Sequence, residues 1–236
     1  MTPIVYALVA GAANVLGAVA ITSRARWSVR ALDTILSVAA GFMVSVSIIS
    51  LLPEAIERRG SEAAVVALLG YLVVHLTQHA LVKHFHFGEE THEVSEVVGF
   101  SALAGLLLHT FVDGVAIASG FHVSEALGLL VFVAILLHKF PEGLAISSLF
   151  LAAGASRRRA LAAAAALGVA TVAGFLAANT LRPLADHGLA LSAGVTLYVA
   201  TSNLVPEFQA KPGWRLQAGF FAGCALFFGA RTLLRH

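Results

Sequence analysis

Charge is scarce in this chain. Only 12% of its 236 residues are Asp, Glu, Lys or Arg, where a soluble domain carries roughly a quarter. With 58% hydrophobic residues and a mean hydropathy of +0.87, the composition leaves no room for a separate soluble domain. Cysteine is nearly absent. The single Cys224 cannot close an internal disulfide, and in its apolar run it reads as a packing residue. The net charge of +2 is small, and the basic residues are scattered near segment ends, which excludes a nucleic-acid partner. No basic stretch precedes the first apolar segment, since Arg24 and Arg26 follow it. That segment is expected to be a membrane helix rather than a cleaved leader. The chain also lacks His-Glu-x-x-His, the helix motif of zinc-dependent proteases.

What is present is a series of long apolar runs. A bilayer core takes about 20 apolar residues per helix. Eight segments qualify, at approximately 4–21, 33–52, 62–82, 98–119, 126–150, 160–181, 188–206 and 215–233. The expected fold is an all-α integral membrane protein, residues 1–236 forming one transmembrane domain. An even number of spans puts both termini on one side. With the termini outside, nine basic residues fall in inner loops, among them Arg157, Arg158 and Arg159, against five outside, such as Arg58 and Arg59. Positive charge favours the inside. This orientation also puts Trp27 and Trp214 near the inner interface, where indole rings are at home.

The fourth and fifth runs carry one motif twice. The first copy is Leu107-Leu108-His109-Thr110-Phe111-Val112-Asp113-Gly114 and the second is Leu136-Leu137-His138-Lys139-Phe140-Pro141-Glu142-Gly143. Each places a histidine and a carboxylate four residues apart, about one helical turn, so each pair shares a helix face. An ionisable group at the bilayer centre costs roughly 3 kcal/mol or more, and four unpaired ones on the order of 10 kcal/mol. A bound divalent cation offsets that cost, because it keeps carboxylates ionised and imidazoles neutral. Mixed nitrogen and oxygen donors suit Zn²⁺, Fe²⁺ or Mn²⁺, and the missing thiolates argue against a permanent structural zinc. Pro141 is expected to kink the fifth helix and to free the Leu137 carbonyl as a further oxygen ligand. Gly114 and Gly143 permit close helix approach.

A second repeat joins the second and seventh runs. Ala40-Gly41 precedes Pro53-Glu54 by eleven residues, and Ala193-Gly194 precedes Pro206-Glu207 by eleven. These runs lie an odd number of spans apart and point in opposite directions. So do the fourth and fifth. Both repeats fit a pseudo-twofold axis in the membrane plane, an inverted repeat typical of transporters with a site at mid-membrane.

The paired motifs resemble the signature helices of the ZIP family (Zrt/Irt-like metal-ion transporters). The resemblance implies eight spans, an inverted 3+2+3 arrangement, termini outside and a histidine-bearing loop between the third and fourth helices. It implies transport of a divalent ion, zinc first, with iron, manganese or cadmium as related cargo. The primary site would comprise His109, Asp113, His138 and Glu142. Two positions depart from the family pattern. Thr110 stands where asparagine is common, and Lys139 stands where many members carry a carboxylate that helps hold a second ion. An ammonium beside a divalent ion repels it and pairs with carboxylates, so one transported-ion site is expected, with Lys139 replacing the second metal. Asn203 similarly stands where relatives carry an acid. Met43 matches a position where some members present sulfur to the site, although methionine in a membrane helix is usually packing. A homodimer is also implied.

Residues 83–96 form the His/Glu-rich connection between the third and fourth runs. His84, His86 and His92 with Glu89, Glu90 and Glu93 make a metal-collecting surface, which the orientation puts in the cytoplasm. His75 and His79 share a helix face, and His122 lies in an outer turn. The leading expectation is a carrier of divalent metal toward the cytoplasm, without a resident cofactor, in a bacterial inner membrane. Two alternatives stay open: an intramembrane metalloenzyme, which would need an activated water and an acid-base group, and a proton-coupled carrier of a non-metal substrate.

Overall fold

The computed structural model describes residues 2–23, 29–81, 96–209 and 211–234. Among these residues the regular structure is entirely helical. In order the helices are α1 (Ile4–Thr22), α2 (Val29–Val46), α3 (Leu52–Arg59), α4 (Glu62–Leu81), α5 (Glu96–Val123), α6 (Glu125–Ala152), α7 (Arg157–Thr180), α8 (Arg182–Tyr198), α9 (Val205–Gln209) and α10 (Trp214–Leu234). Six stretches of the described residues are long and apolar enough to cross a membrane: Ile4–Thr22, Arg30–Arg59, Ala102–Val123, Glu125–Ala152, Arg157–Thr180 and Trp214–Leu234. The expected spans at 62–82 and 188–206 are weaker by this measure. The former appears as the shorter apolar helix Glu62–Gln78. The latter is α8 with its C-terminal extension, and it opens on Arg182, Asp186 and His187.

The molecule is inside-out by soluble standards. Leu8, Leu16, Leu68, Leu76 and Val169 are exposed, whereas Asn14, His109, Asp113, Lys139 and Glu142 are buried. Lipid solvates the first set and excludes the second. α5 and α6 are joined through Ser124 alone, whose hydroxyl accepts the Leu127 N–H at 3.1 Å and caps α6. This tight hairpin brings the two motif copies side by side. α1 packs on α6 and α7, α5 on α7 and α8, α2 on α10 and α6, and α4 on α8.

Two π-helical turns interrupt the second and seventh runs, at Ser47–Leu51 and Val199–Leu204. The Leu52 N–H reaches back to the Ser47 carbonyl, and the Val205 N–H to the Ala200 carbonyl. Each wide turn ends just before a proline, Pro53 or Pro206. A proline ring clashes with the carbonyl four residues back, here within the wide turn, and the extra residue gives that carbonyl room. Ser47 also crosses to α8, its hydroxyl donating to the Ala193 carbonyl at 2.6 Å.

Glycine sets the tightest crossings. A Cβ on Gly143 would lie 2.7 Å from the Asn14 Cα, and one on Gly114 2.7 Å from the Phe175 nitrogen. Nothing lies within 4 Å of the same position on Gly229. Gly143→Ala is expected to destabilise the protein by about 2 kcal/mol, as overpacking does, and Gly229→Ala to leave it unchanged. Thermal unfolding of both variants in detergent checks this. Equal behaviour would refute the backbone contact.

Candidate metal centre

The centre forms where α5 and α6 present their repeated motifs to each other. His109 and Asp113 stack one turn apart on α5, with Nε2 to Oδ2 3.3 Å. His138 and Glu142 lie one turn apart on α6. Across the hairpin, His138 Nε2 lies 3.4 Å from Asp113 Oδ2 and His109 Nε2 lies 4.0 Å from Glu142 Oε1. One donor atom from each of the four residues falls within 4.8 Å of all the others. The imidazole centroids are 5.5 Å apart. None of the four side chains is more than 7% exposed.

The His138 imidazole turns a lone pair inward. His138 Nδ1 sits 3.0 Å from the Ala134 carbonyl, an acceptor to which it can only donate. In the neutral ring Nε2 is then bare and faces a carboxylate oxygen. Two acceptors opposed in this way require a cation between or beside them. A backbone carbonyl behind a histidine is also the usual orienting partner of a metal ligand. Two imidazole nitrogens and two carboxylates at this spacing fit a four-coordinate divalent ion such as zinc.

Lys139 supplies a cation already. Its Nζ is 2.6 Å from Asp113 Oδ2, 2.7 Å from Glu142 Oε2 and 3.1 Å from Thr110 Oγ1. Three N–H donors meet three acceptors, so the fully buried ammonium is satisfied. Thr110 in turn donates to Glu142 Oε1 at 2.8 Å. Thr110 and Lys139, expected at the second-ion positions, are therefore hydrogen-bonded into the first.

Other expected residues fall elsewhere. Met43 is fully buried in α2 within the main apolar cluster. Asn203 is half-buried in the second π-helical turn. His75 packs edge-on against Tyr198, centroids 5.8 Å apart. His122 pairs with the Asn179 side chain at 2.9 Å. Glu54 pairs with Arg58 at 2.8 Å, and Cys224 Sγ meets the Gly41 carbonyl at 3.4 Å. Pro141 lies inside an uninterrupted α6. The side chains of His79 and Glu207, and the loop residues His84, His86, Glu89, Glu90, His92 and Glu93, lie outside the described set. Asn14 was not singled out in the sequence. Its signal was available, as the one strongly polar residue in the first apolar run.

Apolar helices suited to a bilayer mark an integral membrane protein, and its buried histidine-carboxylate cluster is one that could hold a divalent ion. The family model of the ZIP zinc transporters matches residues 87–233. That is well over half of the chain, which therefore belongs to the ZIP family. No match is found among curated proteins. Membership implies divalent metal transport and is consistent with a transporter rather than an enzyme.

Proposed function

We propose that the chain carries zinc, or a divalent ion of similar chemistry such as iron, manganese or cadmium, across the membrane toward the cytoplasm. His109, Asp113, His138 and Glu142 bind the ion in transit. The observation that carries this reading is the buried cluster itself: four donors within 4.8 Å, on two helices, in a member of a zinc-transporter family. Without thiolates the set is suited to an ion that must leave again.

The site takes one ion. Two carboxylates and one ammonium leave one net negative charge if the imidazoles are neutral. One divalent ion brings the site to a single positive charge. A second would meet that charge and the ammonium in a low dielectric.

We further read the chain as eight spans in an inverted 3+2+3 repeat with the termini outside. Several pairs of contacts support this. Gly17 and Gly143 bring α1 against α6, and Gly114 and Gly174 bring α5 against α7 in the same manner. Gly41 and Gly223 join α2 to α10 as Gly194 and Gly70 join α8 to α4. Each long broken helix has its π-helical turn before a proline. Asp33 near the start of α2 pairs with Lys211 at 2.7 Å, and Asp186 near the start of α8 pairs with Arg59. Rocking of α1, α5, α6 and α7 against the remaining helices would expose the site to each side in turn. Residues 83–96 then receive ions at the cytoplasmic exit, and the setting is a bacterial inner membrane.

The test is uptake into proteoliposomes with competing metals. Zinc should enter with the wild type and be displaced by excess cadmium. With His138→Ala uptake should be lost. Zinc uptake at the wild-type rate in His138→Ala would sink the reading.

A further inference from the structure

Asn14 is fully buried in α1, and neither its side-chain oxygen nor its nitrogen has a hydrogen-bond partner. Desolvating an amide without such bonds costs free energy, and a membrane interior offers no water to relieve it. Only a few buried side-chain atoms among the described residues are in this position, and Asn14 alone contributes both ends of a side chain.

Its place in the fold is specific. Ala10, Gly11, Asn14, Gly17 and Ala18 make the buried stripe of α1. Gly11 meets Gly168 on α7, and Gly17 meets the Phe140 carbonyl on α6, so Asn14 lies between those two contacts. Its backbone rests directly on Gly143, the residue after Glu142. Lys139 is one turn before Gly143 and leaves α6 on the same face. Lys139 therefore shares with Gly143 the side of α6 on which α1 rests, and its ammonium turns toward Asp113, Glu142 and Thr110.

Loading an ion creates a problem for Lys139. Two of its three acceptors are the carboxylates that the ion needs. An incoming divalent cation competes for those carboxylates and repels the ammonium. The ammonium then loses part of its carboxylate pairing and gains from a buried acceptor besides Thr110. We propose that Asn14 is that acceptor: its side-chain oxygen receives the Lys139 ammonium when metal occupies the site. Asn14 is a positioning residue. It acts on ion affinity through Lys139 and holds no metal. This rests on the transport reading above, and it gives the buried, unpartnered amide a use.

Zinc affinity of the purified full chain, titrated calorimetrically in detergent, tests it. Four proteins are compared: wild type, Asn14→Leu, Lys139→Gln and the double variant. Asn14→Leu should weaken zinc binding about tenfold, the worth of a hydrogen bond to a charged group. In the Lys139→Gln background the same substitution should change affinity less than about twofold, since the partner charge is gone. An equal loss in both backgrounds would mean that Asn14 acts through packing and would overturn the proposal, as would no loss in the wild-type background. Asn14→Asp guards against misfolding of the leucine variant. It keeps the acceptor oxygen and should bind zinc at least as tightly as wild type; weaker binding would also overturn the proposal. A wild type that binds no zinc would instead remove the transport reading and the receiver role together, whereas zinc binding without the Asn14–Lys139 coupling removes the receiver role alone.

Discussion

Alanine at His109 or at Glu142 is expected to abolish zinc uptake while the protein still inserts in the membrane. His109 and Glu142 each offer one donor atom to the cluster, and the Glu142 carboxylate is held in place by Thr110, which donates to Oε1 at 2.8 Å. Loss of a group that merely orients a ligand costs about 10- to 100-fold in affinity. Loss of a ligand in a four-donor site should cost at least as much. Insertion should survive because the apolar faces of α5 and α6 and their glycine crossings are untouched. Removing Glu142 also leaves Lys139 with two acceptors, Asp113 and Thr110. Radioactive zinc uptake, normalised to protein recovered in the membrane fraction, gives the measurement. Unchanged uptake in both variants would refute the ligand assignment.

Lys139→Met should have the largest effect on stability. It strips the ammonium from two buried carboxylates at 2.6 and 2.7 Å. Breaking one side of a buried ion pair costs about 3–5 kcal/mol, and two buried carboxylates would then repel each other. The metal-free variant is expected to unfold well below the wild type. Added zinc should restore much of the difference, since a ligand that binds only the folded state stabilises it. The wild type should gain less. Thermal unfolding with and without zinc reads this directly. Metal analysis supplies a companion check: the wild type should carry one ion per chain, and Lys139→Asp, which returns a carboxylate to that position, should carry two. Two coupled ions in the wild type would sink the single-site reading.

The sequence made the candidate ligands legible because their spacing is periodic. A histidine and a carboxylate four apart, twice, in apolar runs admit few other uses. The same regularity hid the π-helical turns. One extra residue per turn leaves composition and hydropathy unchanged, so Ser47–Leu51 and Val199–Leu204 read as ordinary helix. Pro53 and Pro206 marked the places, and the repeat containing them was visible, but not the local geometry that accommodates them. Lys139 was legible as a charge beside the site. That it would satisfy all three of its donors there was not, because Thr110 lies in the other motif copy and the contact depends on how the hairpin closes. Asn14 was the hardest. Its meaning comes from what packs around it, Gly143 and the face of α6 that carries Lys139, and no spacing within α1 encodes that.

The buried ammonium has an electrical consequence. In a carrier, the empty site crosses the membrane with one net negative charge, and the loaded site crosses with one positive. Without Lys139 those values would be two negative and zero, and the membrane voltage would act on the return stroke alone. With Lys139 the two elementary charges of each cycle are divided evenly between the strokes. An inside-negative potential then pulls the loaded site inward and pushes the empty site outward, each by about 2.3 kcal/mol per 100 mV if the full field is crossed. In such a carrier, with neutral imidazoles and one ion bound, the lysine would turn a one-sided electrical drive into a balanced one, with neither half of the cycle left to thermal motion alone.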